Sequence, residues 1–268
     1  MGRIEACFRA LRARGEKALV PFVTAGEPDL PTTEALVEAC CAAGADLVEI
    51  GVPFSDPIGE GPTIQRATER AQRGGVSLRR VLELVERLRS RVEAPLVLMG
   101  YANNLMAMGE RAFAERAAAV GVDGLIVVDL PPEEGESLFG ELRLRGVDPI
   151  LLAAPTTKPA RLAMLAKETR GFLYFVSLTG VTGARRALSE TLEREVRAVR
   201  AVSDVPVCVG FGISTPEHAR DVARFADGVA VGSALIDRIE AARSPAEAVE
   251  AAGRFVAALK APLRRSGS

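Results

Sequence analysis

Eight short apolar runs recur along the chain, and each is followed by a segment with helical periodicity. The runs are residues 18–23 (ALVPFV), 46–50 (DLVEI), 95–99 (PLVLM), 124–128 (GLIVV), 149–153 (PILLA), 172–176 (FLYFV), 205–209 (VPVCV) and 228–231 (GVAV). They are continuously apolar rather than alternating, which marks parallel strands covered on both faces. Between them, Leu78, Val81, Leu82, Val85 and Leu88 mark one helix face, with Ser77 as its expected N-cap. Phe113 with Ala117, and Leu138 with Phe139 and Leu142, mark two more. Gly44, Gly121 and Gly146 fall where helix C-terminal glycines belong. Ser214 and Glu217 are spaced as a capping box.

A strand–helix unit repeated eight times can form an open doubly wound sheet or a closed barrel. The count of eight favours a (β/α)8 TIM barrel, because successive right-handed crossovers close naturally at that number. The chain has 268 residues, and barrels of about 250 residues form one unit. One domain over residues 1–268 is therefore expected, with residues 264–268 as a frayed tail. Ile4, Cys7, Phe8 and Leu11 are spaced for one face of an extra N-terminal helix. The longest gap follows the second strand and contains residues 51–62 (GVPFSDPIGEGP). In a barrel, loops that follow strands lie on the catalytic face. Residues 177–186 (SLTGVTGARR), after the sixth strand, are the second such loop.

Composition narrows the function. Lys plus Arg number 34 and Asp plus Glu 35, a net charge of −1, which argues against a nucleic-acid or acidic-membrane partner. The four cysteines (Cys7, Cys40, Cys41, Cys208) contain no CxxC pair, and His218 is the one histidine. No metal site is expected from them, and a reducing, cytoplasmic setting is. No run has the length of a membrane helix or of a signal-peptide core.

Within this frame, several residues could carry chemistry. Glu49 interrupts an apolar strand one residue from its C-terminal end. A carboxylate there must be hydrogen-bonded or neutralised, and burial raises its pKa into a range suited to giving and taking a proton. A purely structural carboxylate is the competing reading. Asp56 and Glu60, on the Gly/Pro-rich loop, could fold towards Glu49 or stay solvated. Gly183, the Gly210-Phe211-Gly212 turn and Gly232-Ser233 follow the sixth, seventh and eighth strands. Backbone amides approach phosphate oxygens closely where no Cβ intrudes, and a helix start adds positive potential. Phe22, Tyr101, Tyr174 and Phe211 sit at strand ends, where they either line a pocket for a flat ligand or pack the core. His218 falls on an outer helix, in a solvated or capping role.

Seven stretches, in order and spanning nearly the whole chain, resemble the tryptophan synthase α subunit family. They are PFVTAGEP (21–28), DLVEIGVPFSDP (46–57), GPTIQRA (61–67), VDLPPEE (128–134), VSLTGVTG (176–183), VGFGIS (209–214) and VGSALI (231–236). The resemblance implies a retro-aldol lyase that splits indole-3-glycerol phosphate into indole and glyceraldehyde 3-phosphate without a cofactor of its own. It implies that Glu49 is the general acid/base, that Glu60 bonds the indole N–H, and that Tyr174 lies near the glycerol hydroxyls. Phe22, Met99, Ile126 and Leu152 match positions around the indole. Gly183, Phe211, Gly212, Gly232 and Ser233 fall at the phosphate site. The loops with Asp56 and Thr182 would close over the substrate and face a pyridoxal-phosphate β subunit in an α2β2 heterotetramer.

The family usually has Asp where this chain has Glu60. One more methylene adds ~1.5 Å of reach, and a misplacement of ~1 Å can cost a catalytic group ~10²-fold. Position 102 is Ala, where some relatives carry a second Tyr. Two other readings share these residues: a stand-alone lyase releasing free indole, and a catalytically impaired allosteric subunit.

Overall fold

The computed structural model describes residues 2–176, 185–210 and 212–264. The chain opens with helix α1 (Arg3–Arg14), strand β1 (Ala18–Thr24), α2 (Leu30–Ala42), β2 (Val48–Gly51), α3 (Pro62–Arg73), α4 (Leu78–Arg89) and β3 (Leu96–Gly100). It continues with α5 (Ala102–Met106), α6 (Glu110–Val120), β4 (Gly124–Val127), α7 (Glu136–Leu144), β5 (Asp148–Ile150), β6 (Leu152–Ala153) and α8 (Pro159–Glu168). The last part holds β7 (Leu173–Val176), α9 (Arg185–Arg200), β8 (Val207–Gly210), α10 (Pro216–Ala223), β9 (Gly228–Val231), α11 (Ser233–Glu240) and α12 (Pro245–Lys260).

All strand pairings are parallel, in the order β5-β4-β3-β2-β1-β9-β8-β7-β6. The two ends of that order are consecutive pieces of one chain segment, so the sheet curls into a barrel of eight strand positions. The run at 149–153 is therefore two strands rather than the one expected. Pro149 has no N–H to give to a ladder. The Leu151 amide turns away to the Thr169 hydroxyl at 3.0 Å, while the Leu151 carbonyl accepts from the Tyr174 amide at 3.0 Å. Thr169 in turn donates to the Phe172 carbonyl at 2.7 Å. One buried hydroxyl thus mends the ladder where the fifth strand changes neighbours.

Two apolar layers result. The helices bury their predicted stripes on the outside of the barrel, as α4 does with Leu78, Val81, Leu82, Val85 and Leu88. Inside, Val20, Leu47, Val97, Ile126, Ile150 and Cys208 form a separate cluster. Ile4, Phe8 and Leu11 of α1 join that inner cluster and close its N-terminal end. At the same end, the buried Lys260 ammonium donates to the Asp46 carboxylate at 2.7 Å and to the Lys17 carbonyl at 3.0 Å. This ties the C-terminal helix to the starts of β1 and β2.

Gly44, Gly121 and Gly146 have φ of +104°, +88° and +74° and end their helices as expected. Ser77 occupies the N-cap position without a side-chain bond. The capping box expected at Ser214 and Glu217 is displaced by one residue. Thr215 is the N-cap, accepting from the His218 amide at 3.3 Å, while Ser214 Oγ lies 3.3 Å from His218 Nδ1. Pro216 locks the first helical φ, which leaves the residue immediately before it in the cap position. Among the described residues, no helix is long and apolar enough to cross a membrane.

Candidate active site

Side chains alternate along a strand, so residues two apart share a face. Leu47 of the inner cluster gives Glu49 the inward parity; Val20 gives it to Phe22, and Val97 to Met99. Ile126 and Tyr174 belong to the inner cluster, and Leu152 packs against it. The pairing Phe22↔Glu49↔Val97 sets the first of these side by side. The barrel therefore brings Glu49, Tyr174, Phe22, Met99, Ile126 and Leu152 to the C-terminal end of one interior.

Glu49 is 1% exposed, and neither carboxylate oxygen has a hydrogen-bond partner among the described residues. Burial alone pushes its pKa up to about 8. The Tyr174 phenol is raised well above its usual value, first by burial and then by the nearby Glu49 charge. A Cβ on Gly210 would lie 2.2 Å from the Tyr174 hydroxyl oxygen. Glycine at 210 is thus what lets the phenol lie across the end of β8.

Glu60 lies on the loop between β2 and α3. One carboxylate oxygen is buried without a partner among the described residues. Burial pushes its pKa up to about 7, against the opposing pull of a hydrogen bond from Thr68. The loop around it is anchored at several points. The Gly59 amide donates to Tyr101 Oη at 3.1 Å, and the Tyr101 ring stacks on Phe54 with centroids 4.9 Å apart. Asn104 Nδ2 donates to the Pro53 carbonyl at 3.0 Å, and Gln65 Nε2 to the Glu60 carbonyl at 2.9 Å. Tyr101 was expected only as a strand-end aromatic; here it also holds the loop backbone. Gln65, Asn104 and Thr68 carried no local signal, because their partners are set by how the loop folds back. Asp56 is exposed and accepts from Ser55 Oγ at 2.6 Å.

At the end of β9, two strands round the barrel from β2, Gly232 is the N-cap of α11 and Ser233 its exposed first residue. Leu235 and Ile236 donate back to the Gly232 carbonyl at 2.8 and 3.1 Å. By helix geometry, the Ser233 and Ala234 amides then lack intrahelical acceptors. A Cβ on Gly232 would come within 3.7 Å of Phe22, so this helix start adjoins the C-terminal end of β1. Gly212 has φ +75° and is exposed. Thr182, Gly183 and Phe211 lie outside the described residues. Among those described, no group of three or more His, Cys, Asp or Glu could hold a metal ion.

The family model described as tryptophan synthase alpha chain matches residues 8–263. The chain belongs to that family. It is 54% identical over 260 residues to the tryptophan synthase alpha chain of Geobacter sp. (strain M21), covering 97% of each. It is 50% identical over 268 residues to that of Thioalkalivibrio sulfidiphilus, covering 99% of each. Among solved structures, tryptophan synthase subunit alpha from Legionella pneumophila str. Paris superposes with a TM-score of 0.89 at 39% identity, covering 98% of each chain. A tryptophan synthase chain from M. tuberculosis gives a TM-score of 0.89 at 37% identity, covering 99% of each. The family match extends over every strand of the barrel.

Proposed function

We infer that the chain is the lyase subunit of tryptophan synthase and splits indole-3-glycerol phosphate into indole and glyceraldehyde 3-phosphate. The observation that carries the chemistry is the fully buried carboxyl of Glu49, without a partner among the described residues. A carboxyl with a pKa near 8 is mostly protonated at neutral pH, so it can deliver a proton to indole C3. The resulting indolenine draws electrons from the bond between C3 and the glycerol carbon. As that bond breaks, its electron pair restores the indole ring and the hydroxyl on the departing carbon becomes the aldehyde. The Glu49 carboxylate, now charged in an apolar site, takes up the hydroxyl proton and returns to its starting state. Tyr174 orients the glycerol hydroxyls.

Glu60 in its ionised form accepts the indole N–H and stabilises the positive charge that develops on the ring. Its carboxylate does so from a largely buried position, where a charge interaction is screened less than in water. Phe22, Met99, Ile126 and Leu152 hold the flat ring. The amides at Gly232 and Ser233, with Gly183, Phe211 and Gly212, take the phosphate.

The partner in this reading is the tryptophan synthase β subunit, in an α2β2 assembly in the cytoplasm. The pyridoxal phosphate belongs to the β subunit, and the α subunit uses no cofactor. Asp56 and Thr182 lie on the loops that close over substrate and meet the partner. Ile58, 83% exposed on the Asp56 loop, gives that face an apolar contact.

Glu49→Gln tests the assignment. Indole release falls below detection in the variant, while glycerol 3-phosphate binding, measured by calorimetry, stays close to wild type. Near-normal turnover in Glu49→Gln would remove Glu49 from the mechanism.

A further inference from the structure

Helix α3 starts just after Glu60 and touches two separate parts of the molecule. Gln65 binds the Glu60 carbonyl at 2.9 Å. A different stripe, Thr63, Arg66 and Arg70, has the i, i+3, i+7 spacing of one helix face. It meets Asp237 and Glu240 of α11, which are themselves three apart. Thr63 Oγ1 donates to Asp237 Oδ1 at 3.0 Å. Arg66 Nη2 reaches Glu240 Oε2 at 3.0 Å, and Arg70 Nη1 reaches Glu240 Oε1 at 3.0 Å. Arg70 also donates from Nε to Glu27 Oε1 at 2.8 Å. Glu27 is 4% exposed, on the turn that leaves β1.

Isolated surface ion pairs contribute little. This seam differs in construction: one carboxylate takes two guanidinium groups, and one guanidinium forks to two carboxylates, one of them buried. It also joins two functional ends. Eight residues long, α11 is a rod of ~12 Å, with Gly232-Ser233 at its start and Glu240 as its last residue. We propose that the Arg66–Arg70–Glu240 seam couples occupancy of the start of α11 to the placement of the Glu60 loop, making Arg70 and Glu240 positioning residues for the lyase reaction. This rests on the reading that Gly232 and Ser233 bind phosphate. A phosphate drawn onto the α11 amides fixes the axis of that helix. Glu240 passes the constraint to α3 through the two arginines, and Gln65 passes it to the Glu60 backbone.

The test uses the full chain and the probe glycerol 3-phosphate. Hydrogen exchange at the Gly59 and Glu60 amides is measured with and without saturating probe, alongside calorimetric affinity and steady-state kinetics. In the wild type the probe slows exchange at both amides about fivefold or more, the size of a typical coupling between sites. In Glu240→Gln the probe still binds, weaker by no more than about the lost coupling factor of fivefold, and the slowing disappears at saturation. In the same variant kcat falls about tenfold, while the thermal midpoint barely moves because Glu240 is a third exposed. Equal protection of the loop in Glu240→Gln and wild type overturns the coupling. Failure of the wild type to bind the probe overturns the phosphate reading, and the coupling with it.

Discussion

Placing a carboxyl group at position 49, 1% exposed and without a partner for either oxygen among the described residues, costs the folded chain whenever the group is ionised. The free carboxyl has a pKa of 4.5 and burial pushes it up to about 8. Because the folded pKa is the higher one, the folded state binds the proton more tightly. No cost exists below pH 4.5; it grows as pH rises through the window and levels off above 8. At pH 7 it is roughly 3 kcal/mol. Glu49→Gln is therefore expected to be more stable than wild type by about that amount at pH 7, and equal to it near pH 4. Urea unfolding at the two pH values checks this, and a variant no more stable at pH 7 contradicts the burial argument. The two carboxyls also predict a narrow bell in the pH–rate profile. Glu60 must be ionised and loses activity below about 7; Glu49 must start protonated and loses it above about 8. Shortening Glu60 separates reach from charge. Glu60→Asp keeps or raises kcat/KM, and Glu60→Ala loses ~10²-fold or more. An unchanged rate in the Ala variant would exclude Glu60 from the chemistry.

At the scale of elements, the loop between β2 and α3 is held by residues from other parts of the chain. Tyr101, just after β3, accepts from Gly59 next to Glu60 and stacks on Phe54. Tyr101→Phe keeps the stack and removes the acceptor. It should lower kcat about tenfold, consistent with a small misplacement of Glu60, with KM little changed. Kinetics indistinguishable from wild type would show that the stack alone sets the loop. The strand runs, the helix faces and Glu49 were legible in the sequence because each depends on local periodicity. The split of the fifth strand was not, because the Thr169 hydroxyl that takes the Leu151 amide lies a whole helix away. The capping residue of α10 missed by one position, since Ser214 and Thr215 are both competent caps and the proline at 216 decided between them.

Across the whole molecule, Lys260 connects the last long helix to the floor of the barrel. Its side chain is 4% exposed, and its ammonium faces the carboxylate of Asp46, whose side chain is 12% exposed. Lys260→Met leaves that carboxylate buried without a counter-charge, with only the Leu19 amide still donating to it at 2.8 Å, so a loss of about 3 kcal/mol is expected in urea unfolding at pH 7. A loss below about 0.5 kcal/mol, the size of a surface pair, would show that water reaches Asp46 and replaces the lysine.

The alternation of apolar runs and helical stripes was enough to specify parallel strands covered by helices, since buried parallel strands and amphipathic helices each carry their own period, and the count of eight favoured closure into a barrel over an open sheet. It also exposed Glu49, because a charge within a buried strand contradicts its surroundings. Which side chains meet at the barrel mouth is a different kind of information. Phe22, Glu49, Met99, Ile126, Leu152 and Tyr174 come from separate strands, and closure of the sheet brings their common inward parity to one end of the interior. Tyr174 can lie across β8 because Gly210 has no Cβ there, and Glu60 is set by contacts from Tyr101, Gln65 and Thr68. Such contacts join residues distant along the chain, and their geometry exists only after the barrel has closed.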